Sequence, residues 1–250
     1  MAFQGKVAVV TGGGRDIGRA VSLKLAASGA RVALNYCNDA AAAERTLADI
    51  KAAGGQALLV RGDMTQAADV EALFAASAEA FGPAVDVLVN VTGGIVARKT
   101  LEEMDETFFD RVIALNLKSV FLATKAAAGR MGAGGAIVNV ASQAGRDGGG
   151  GGASAYATSK GAVMTFTRSM AKELGPRGIR VNAVCPGMIS TTFHDTFTKP
   201  EIRAAVASAT PLKREGQAAE VAEAIAYLAS EASSFLNGVN LDINGGTYFS

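Results

Sequence analysis

The run Lys6 to Thr11 (KVAVVT) passes directly into a glycine cluster and then into a helical pattern, and this feature constrains the fold more than any other. Nearly unbroken apolar sequence describes a strand buried on both faces, the kind found inside a parallel sheet, rather than a half-exposed antiparallel one. With the helical pattern Ile17 to Ala27 and the strand pattern Arg31 to Asn35, it completes a strand, helix, strand unit.

The alternation continues. Strand patterns recur at Gln56 to Val60, Val85 to Asn90, Ala136 to Ala141, Ile179 to Val184 and Val239 to Ile243. Helical stretches at Ala67 to Phe81, Thr107 to Arg130, Ala155 to Leu174 and Gln217 to Ser230 separate them, after an alanine-rich helix running through Ala53. Seven strands with helical crossovers predict one doubly wound α/β domain over residues 1–250, with helices on both faces of a parallel sheet. The glycine run Gly148 to Gly152 is too short for a linker and reads as an active-site loop. Residues 188–211 follow a strand's carboxyl end without a strand pattern of their own; they read as a lid or as an irregular surface connection.

Composition narrows the function classes. Lys+Arg 24 against Asp+Glu 23, with neither sign in blocks, leaves no basic groove for nucleic acid and no polybasic membrane patch. Cys37 and Cys185 have no metal-ligand or redox-motif spacing, although a disulfide between them stays open, and no metal site is expected. No secretory leader and no run of about 18 apolar residues is found, so a cytoplasmic protein acting on a small molecule is expected.

Two groups of residues carry chemistry. In Thr11 to Gly18, Gly12, Gly14 and Gly18 let a backbone approach a pyrophosphate at a helix start, with Arg15, Asp16 and Ile17 as further contacts. The second strand ends in Asn35, Tyr36 and Cys37 rather than a carboxylate, and Arg15 could pair with a 2′-phosphate, so NADPH is preferred; NADH held through Asn35 or Asp39 is the alternative. Asp63 and Met64, then Asn90, Thr92 and Gly93, occupy neighbouring strand ends. The second group is Tyr156 and Lys160, four residues apart on one helix face, where a cation would favour the phenolate; Ser142 and Asn116 are its expected partners, Asn116 as a proton relay.

With these motifs assembled, the chain resembles the classical short-chain dehydrogenase/reductase family over nearly its whole length, through TGGGRDIG, VNVTG, Asn116 in LNLKSVF, Ser142, Tyr156 to Lys160, and Cys185-Pro186-Gly187. The resemblance implies a Rossmann-fold sheet of order 3-2-1-4-5-6-7 and a catalytic tetrad of Asn116, Ser142, Tyr156 and Lys160. It also implies that Pro186, Gly187, Ile189 and Thr191 lie against the nicotinamide end, and that the protein is a homotetramer built as a dimer of dimers. The implied activity is reversible NAD(P)(H)-dependent carbonyl reduction, and Gln143, Arg146 and His194 beside the expected carbonyl point to a small polar sugar-derived ketone, keto-uronate or keto acid as substrate. The alternatives are a 3-oxoacyl-thioester reductase and a cofactor-binding regulatory protein.

Three departures from the family pattern stand out. Asp16 replaces a glycine beside the pyrophosphate turn, Val91 and Thr92 alter the usual Asn-Asn-Ala-Gly, and the loop between Ser142 and Tyr156 is a residue longer. Gly94, Ser142, Gln143, Arg146, Tyr156, Met188 and His194 are the expected substrate contacts; an inward Arg146 would favour an anionic substrate, an outward one would be merely solvated.

Overall fold

In the computed structural model, which describes residues 2–250, the opening apolar run forms a strand with every residue buried. In chain order the strands are β1 (Val7–Thr11), β2 (Arg31–Tyr36), β3 (Gln56–Arg61), β4 (Val87–Asn90), β5 (Ala136–Val140), β6 (Arg180–Pro186), the two-residue β7 (Ile189–Ser190) and β8 (Gly216–Gln217), and β9 (Asn240–Ile243). The main sheet is parallel throughout, in the order β3-β2-β1-β4-β5-β6-β9. With β9 as its seventh strand, this is the predicted 3-2-1-4-5-6-7. The order reverses between β1 and β4, which opens a crevice at their carboxyl ends.

The helices are α1 (Asp16–Ala27), α2 (Ala40–Ala52), α3 (Ala67–Phe81), α4 (Glu106–Ile113), α5 (Ser119–Ala128), α6 (Ala144–Asp147), α7 (Ser154–Leu174), α8 (Thr192–Phe197), α9 (Pro200–Ala209) and α10 (Ala218–Ala229). Strand side chains alternate between two cores. Ala8 and Val10 face one core with Leu25 of α1, Ile50 of α2 and Ile225 of α10, while Val9 faces the other with Phe74 of α3, Ala127 of α5 and Leu174 of α7. Each large apolar side chain so enclosed contributes about 1.5–3 kcal/mol relative to exposure.

Four local expectations change. The helix expected over Thr107 to Arg130 is two helices joined by a π turn at Ala114–Lys118, and α4 begins one residue earlier, behind an N-cap in which Asp105 accepts from the Phe108 N–H at 2.7 Å. The strand expected from Val85 begins at Val87, because Asp86 turns back to accept from Val7 N–H at 2.8 Å and Lys6 Nζ at 3.0 Å. A single turn of helix, α6, precedes the glycine run, in which Gly148, Gly149 and Gly152 have φ of +85°, +70° and +71°, where side chains would be strained. Residues 188–211 contain β7, which pairs with β8, and the helices α8 and α9, neither of which has a buried residue. Both cysteines are free thiols, Cys37 exposed and Cys185 buried. Among the described residues, no helix is long and apolar enough to cross a membrane.

Candidate active site

A cleft of about 1010 Å³ runs along the carboxyl ends of β1, β4 and β5. At one end β1 turns through Gly12 at φ +63°, and a Cβ on Gly18 would come 1.9 Å from the Gly12 carbonyl oxygen. Nothing larger than glycine fits this crossing of turn and helix. Gly14 is equally confined, its Cβ position lying 2.7 Å from Cβ of Ala43. Ile17, Tyr36, Cys37, Asp63 and Thr92 join the lining. Burial, reinforced by the nearby Asp63 carboxylate, pushes the Cys37 thiol above its ordinary pKa. The buried Thr92 hydroxyl has no protein partner and borders the same space. This cradle of glycines, helix N–H groups and an unpartnered hydroxyl fits a dinucleotide.

Several side chains are turned to other tasks than those expected. The Asn35 amide accepts from Gly12 N–H at 3.2 Å and donates to the Gly62 carbonyl at 3.0 Å, so it braces the turn and has no free donor for a ribose. Asp39 caps α2 through the Ala42 N–H at 3.0 Å. Asn90 donates to Asn139 Oδ1 at 2.8 Å beneath the sheet ends and does not line the cleft, whereas Met64 borders it with its side chain packed into the core. Asp16 does not cap α1. At φ +50° its carboxylate reaches across to Thr192, accepting from the N–H at 3.0 Å and the hydroxyl at 2.5 Å, while Arg15 Nη1 donates to the same hydroxyl oxygen at 3.1 Å.

At the other end, β5 delivers Ser142 and α7 delivers Tyr156 and Lys160. Lys160 is 3% exposed; its Nζ donates to the Val140 carbonyl at 2.7 Å and lies 5.8 Å from the Tyr156 ring centroid. Burial brings its pKa down to about 8. Burial raises the Tyr156 phenol above its ordinary pKa, and the Ser142 hydroxyl pulls the other way. Tyr156 is therefore firmly protonated at neutral pH. Asn116, on the π turn, gives both amide hydrogens to main-chain carbonyls, Gly94 and Val112, each at 2.9 Å. A Cβ on Gly93 would meet Asn116 Oδ1 at 2.7 Å and Lys160 Nζ at 3.0 Å.

The wall beside Tyr156 differs most from expectation. Arg146 is withdrawn from the cleft: Nε pairs with Asp242 at 2.7 Å and Nη2 donates to the Asn240 carbonyl at 2.6 Å, with the two charged side chains only 13% and 15% exposed. It is neither a substrate contact nor a solvated surface residue. Gln143 donates to Asp147 at 2.9 Å, and His194 Nδ1 lies 2.9 Å from the Thr198 hydroxyl. Burial, aided by Arg203, lowers the His194 pKa. Gly94, Met188, Pro186, Gly187, Ile189 and Thr191 all border the cleft.

Phe193 and Phe197 lie on the expected lid segment, but sequence reasoning did not place them at the site: the Phe193 ring centroid is 6.0 Å from that of Tyr156, and Phe197 is 5.4 Å from Phe193. Sequence reasoning also missed Arg98, which donates through Nε to the Phe197 carbonyl at 3.0 Å and through Nη1 to Gly151 at 2.9 Å. Arg98 lies just beyond Gly93 and Gly94, a strand-end position that could have drawn attention to it.

A family model described as enoyl-(acyl carrier protein) reductase matches residues 12–248. A solved short-chain dehydrogenase/reductase from Serratia marcescens BCRC 10948 superposes with a TM-score of 0.92 at 36% identity, covering 98% of this chain and 99% of its own. The chain belongs to the classical short-chain dehydrogenase/reductase family. Short-chain dehydrogenase/reductase membership makes it an NAD(P)-dependent oxidoreductase of the carbonyl-reducing type. It is similar to an uncharacterized oxidoreductase of Escherichia coli K12, at 40% identity over 96% of this chain and 99% of that one. It is also similar to the 3-oxoacyl-[acyl-carrier-protein] reductase of Staphylococcus aureus Mu50, at 38% identity over 97% and 98%. A short-chain dehydrogenase from Burkholderia cenocepacia J2315, solved in complex with NADP, matches with a TM-score of 0.92 and 36% identity over 98% and 99% of the two chains.

Proposed function

We propose that this enzyme uses NADPH to reduce a small ketone whose carbonyl carries an apolar flank, with residues 188–211 acting as a lid. The observation that carries the substrate reading is the aromatic wall of α8: Phe193 stands 6.0 Å from Tyr156, while Arg146 is held by Asp242 instead of facing the phenol. An apolar substituent gains from burial there, whereas a polyhydroxylated or carboxylated one leaves its polar groups unpaired. This reading departs from the small polar sugar or keto-acid substrate expected from sequence. NADPH is supported by the spent Asn35 amide, the capping duty of Asp39 and the exposed Arg15 at the cleft mouth.

When bound, the nicotinamide supplies hydride to the carbonyl carbon. Tyr156, kept protonated by burial, donates its proton to the carbonyl oxygen, and the Ser142 hydroxyl donates a hydrogen bond to that oxygen and orients it. Lys160 has one hydrogen committed to Val140, which leaves two donors for the nicotinamide ribose and a charge beside the developing phenolate. Asn116 secures the Gly93–Gly94 wall.

NADPH oxidation measured with matched ketones tests this proposal. Alkyl- and aryl-flanked ketones should give kcat/KM at least tenfold above keto-uronates, on the order expected when one substituent's burial is lost. Preference for uronates, or for 3-oxoacyl thioesters over every simple ketone, would reject the substrate class. A homotetramer is proposed as well, because Phe109 and Phe121 are 40% and 45% exposed along α4 and α5; light scattering at one chain's mass would reject it.

A further inference from the structure

Residues 188–211 reach over the cleft on two helices that bury none of their residues, so apolar packing contributes little to holding them and their local opening free energy is low. Besides the Phe193 ring against Tyr156 and the Asp195–Arg203 ion pair, α8 is held by polar contacts from both walls of the cleft. At its first residue, the Asp16 carboxylate accepts from the Thr192 N–H and hydroxyl at 3.0 and 2.5 Å. At its last, Arg98 donates to the Phe197 carbonyl at 3.0 Å while its other arm holds Gly151 of the glycine run at 2.9 Å. A carboxylate at the start of a helix and a guanidinium at its end also complement its dipole.

Both grips draw on unusual backbone. Asp16 has φ +50°, a conformation that favours glycine, and Arg98 follows Val96 at φ +64°, where the Ala97 N–H turns back onto the Ile95 carbonyl at 2.7 Å in a tight three-residue turn. A β-branched residue is seldom found there. Two strained non-glycine residues thus serve the same six-residue helix.

We propose that Asp16 and Arg98 are positioning residues that clasp α8 across the cleft, and that their grip sets the rate at which the dinucleotide leaves. The inference rests on reading the cleft as the NADPH site and residues 188–211 as its lid. Asp16 stands on the turn that would receive the pyrophosphate, so Thr192 must part from it before the cofactor can escape.

The variants Asp16→Gly, Thr192→Val and Arg98→Met test the clasp by two readouts. Asp16→Gly suits the backbone at that position and should fold. The first readout is chymotryptic cleavage after Phe193 and Phe197 in the cofactor-free protein; the second is NADPH release followed by nicotinamide fluorescence, which no tryptophan obscures because the chain has none. Both rates should rise about tenfold or more in Asp16→Gly and Arg98→Met, as loss of a charged hydrogen bond implies, and less in Thr192→Val, which keeps its N–H contact. KM for NADPH should rise while kcat holds or increases. Cleavage at the wild-type rate in both charge variants would overturn the clasp, and faster cleavage without faster release would overturn its control of cofactor exit. Failure of every form, wild type included, to bind NADPH would instead remove the cofactor reading, while cleavage still judges the grip on α8.

Discussion

Asn116 and Gly94 exchange a reciprocal pair of hydrogen bonds, the Gly94 N–H donating to Oδ1 and Nδ2 donating to the Gly94 carbonyl, each at 2.9 Å. The second amide hydrogen goes to Val112, so the side chain joins the β4 loop to the π turn. Asn116→Ala leaves three main-chain groups without partners and should lower stability by about 1–3 kcal/mol. Turnover should fall more steeply, because the wall against Lys160 loosens. Denaturant titration beside steady-state assays checks this; an unchanged midpoint would refute the bracing role.

Lys160 carries a prediction about pH. Its folded-state pKa is lowered to about 8 from 10.5, so between those values the unfolded chain holds a proton that the folded chain does not. Stability therefore rises with pH across that window and is level below it. Lys160→Met removes the cost of burying the charge, about 3 kcal/mol at pH 7, set against about 1 kcal/mol for the lost bond to Val140. The variant should be inactive yet more stable at pH 7, with the gain fading towards pH 10.5. Urea titrations at both pH values measure this, and equal or lower stability at pH 7 would contradict it. In the wild type, reduction should decline as pH rises through about 8, since Lys160 loses its charge before Tyr156 loses its proton.

Arg146→Ala separates a structural arginine from a substrate receptor. Removing it strands Asp242 in a largely enclosed position and should cost about 3 kcal/mol. The ratio of kcat/KM for anionic and neutral ketones should not move. A variant of normal stability that had lost anionic substrates alone would return Arg146 to the pocket.

Phe193→Ala removes the ring beside Tyr156. For apolar-flanked ketones kcat/KM should drop about tenfold or more, in keeping with a lost aromatic surface, while polar ketones change little. Equal losses across the panel would place Phe193 in support of the fold instead.

Legibility from sequence followed the range of the interaction. β1 could be read because burial on both faces leaves a local mark, and Tyr156 with Lys160 because helical spacing alone brings them to one face. The glycine turn could be read because its steric demand lies within a few residues, Gly18 against Gly12. Arg146 was misread because its partner lies 96 residues away and only the β6–β9 pairing brings Asp242 beneath it. The π turn was invisible because it interrupts neither the helical composition nor the apolar content of Thr107 to Arg130, and one residue's shift of phase is hard to see in so apolar a stretch. Phe193 could be assigned to the lid but not to the side of Tyr156, because α8 buries nothing and so carries no periodicity that shows which way it faces.

The long reach between Arg146 and Asp242 also gives the site an order of assembly. Asp242 follows Arg146 by 96 residues, a stretch that takes about 5–20 s to make at the usual pace of synthesis. Throughout that interval the loop beyond Ser142 lacks its counter-charge, and for most of it α1 lacks the α10 face that completes its core. A chain halted before β9 would therefore carry the glycine turn, Tyr156 and Lys160 without the partner that draws Arg146 away from the cleft.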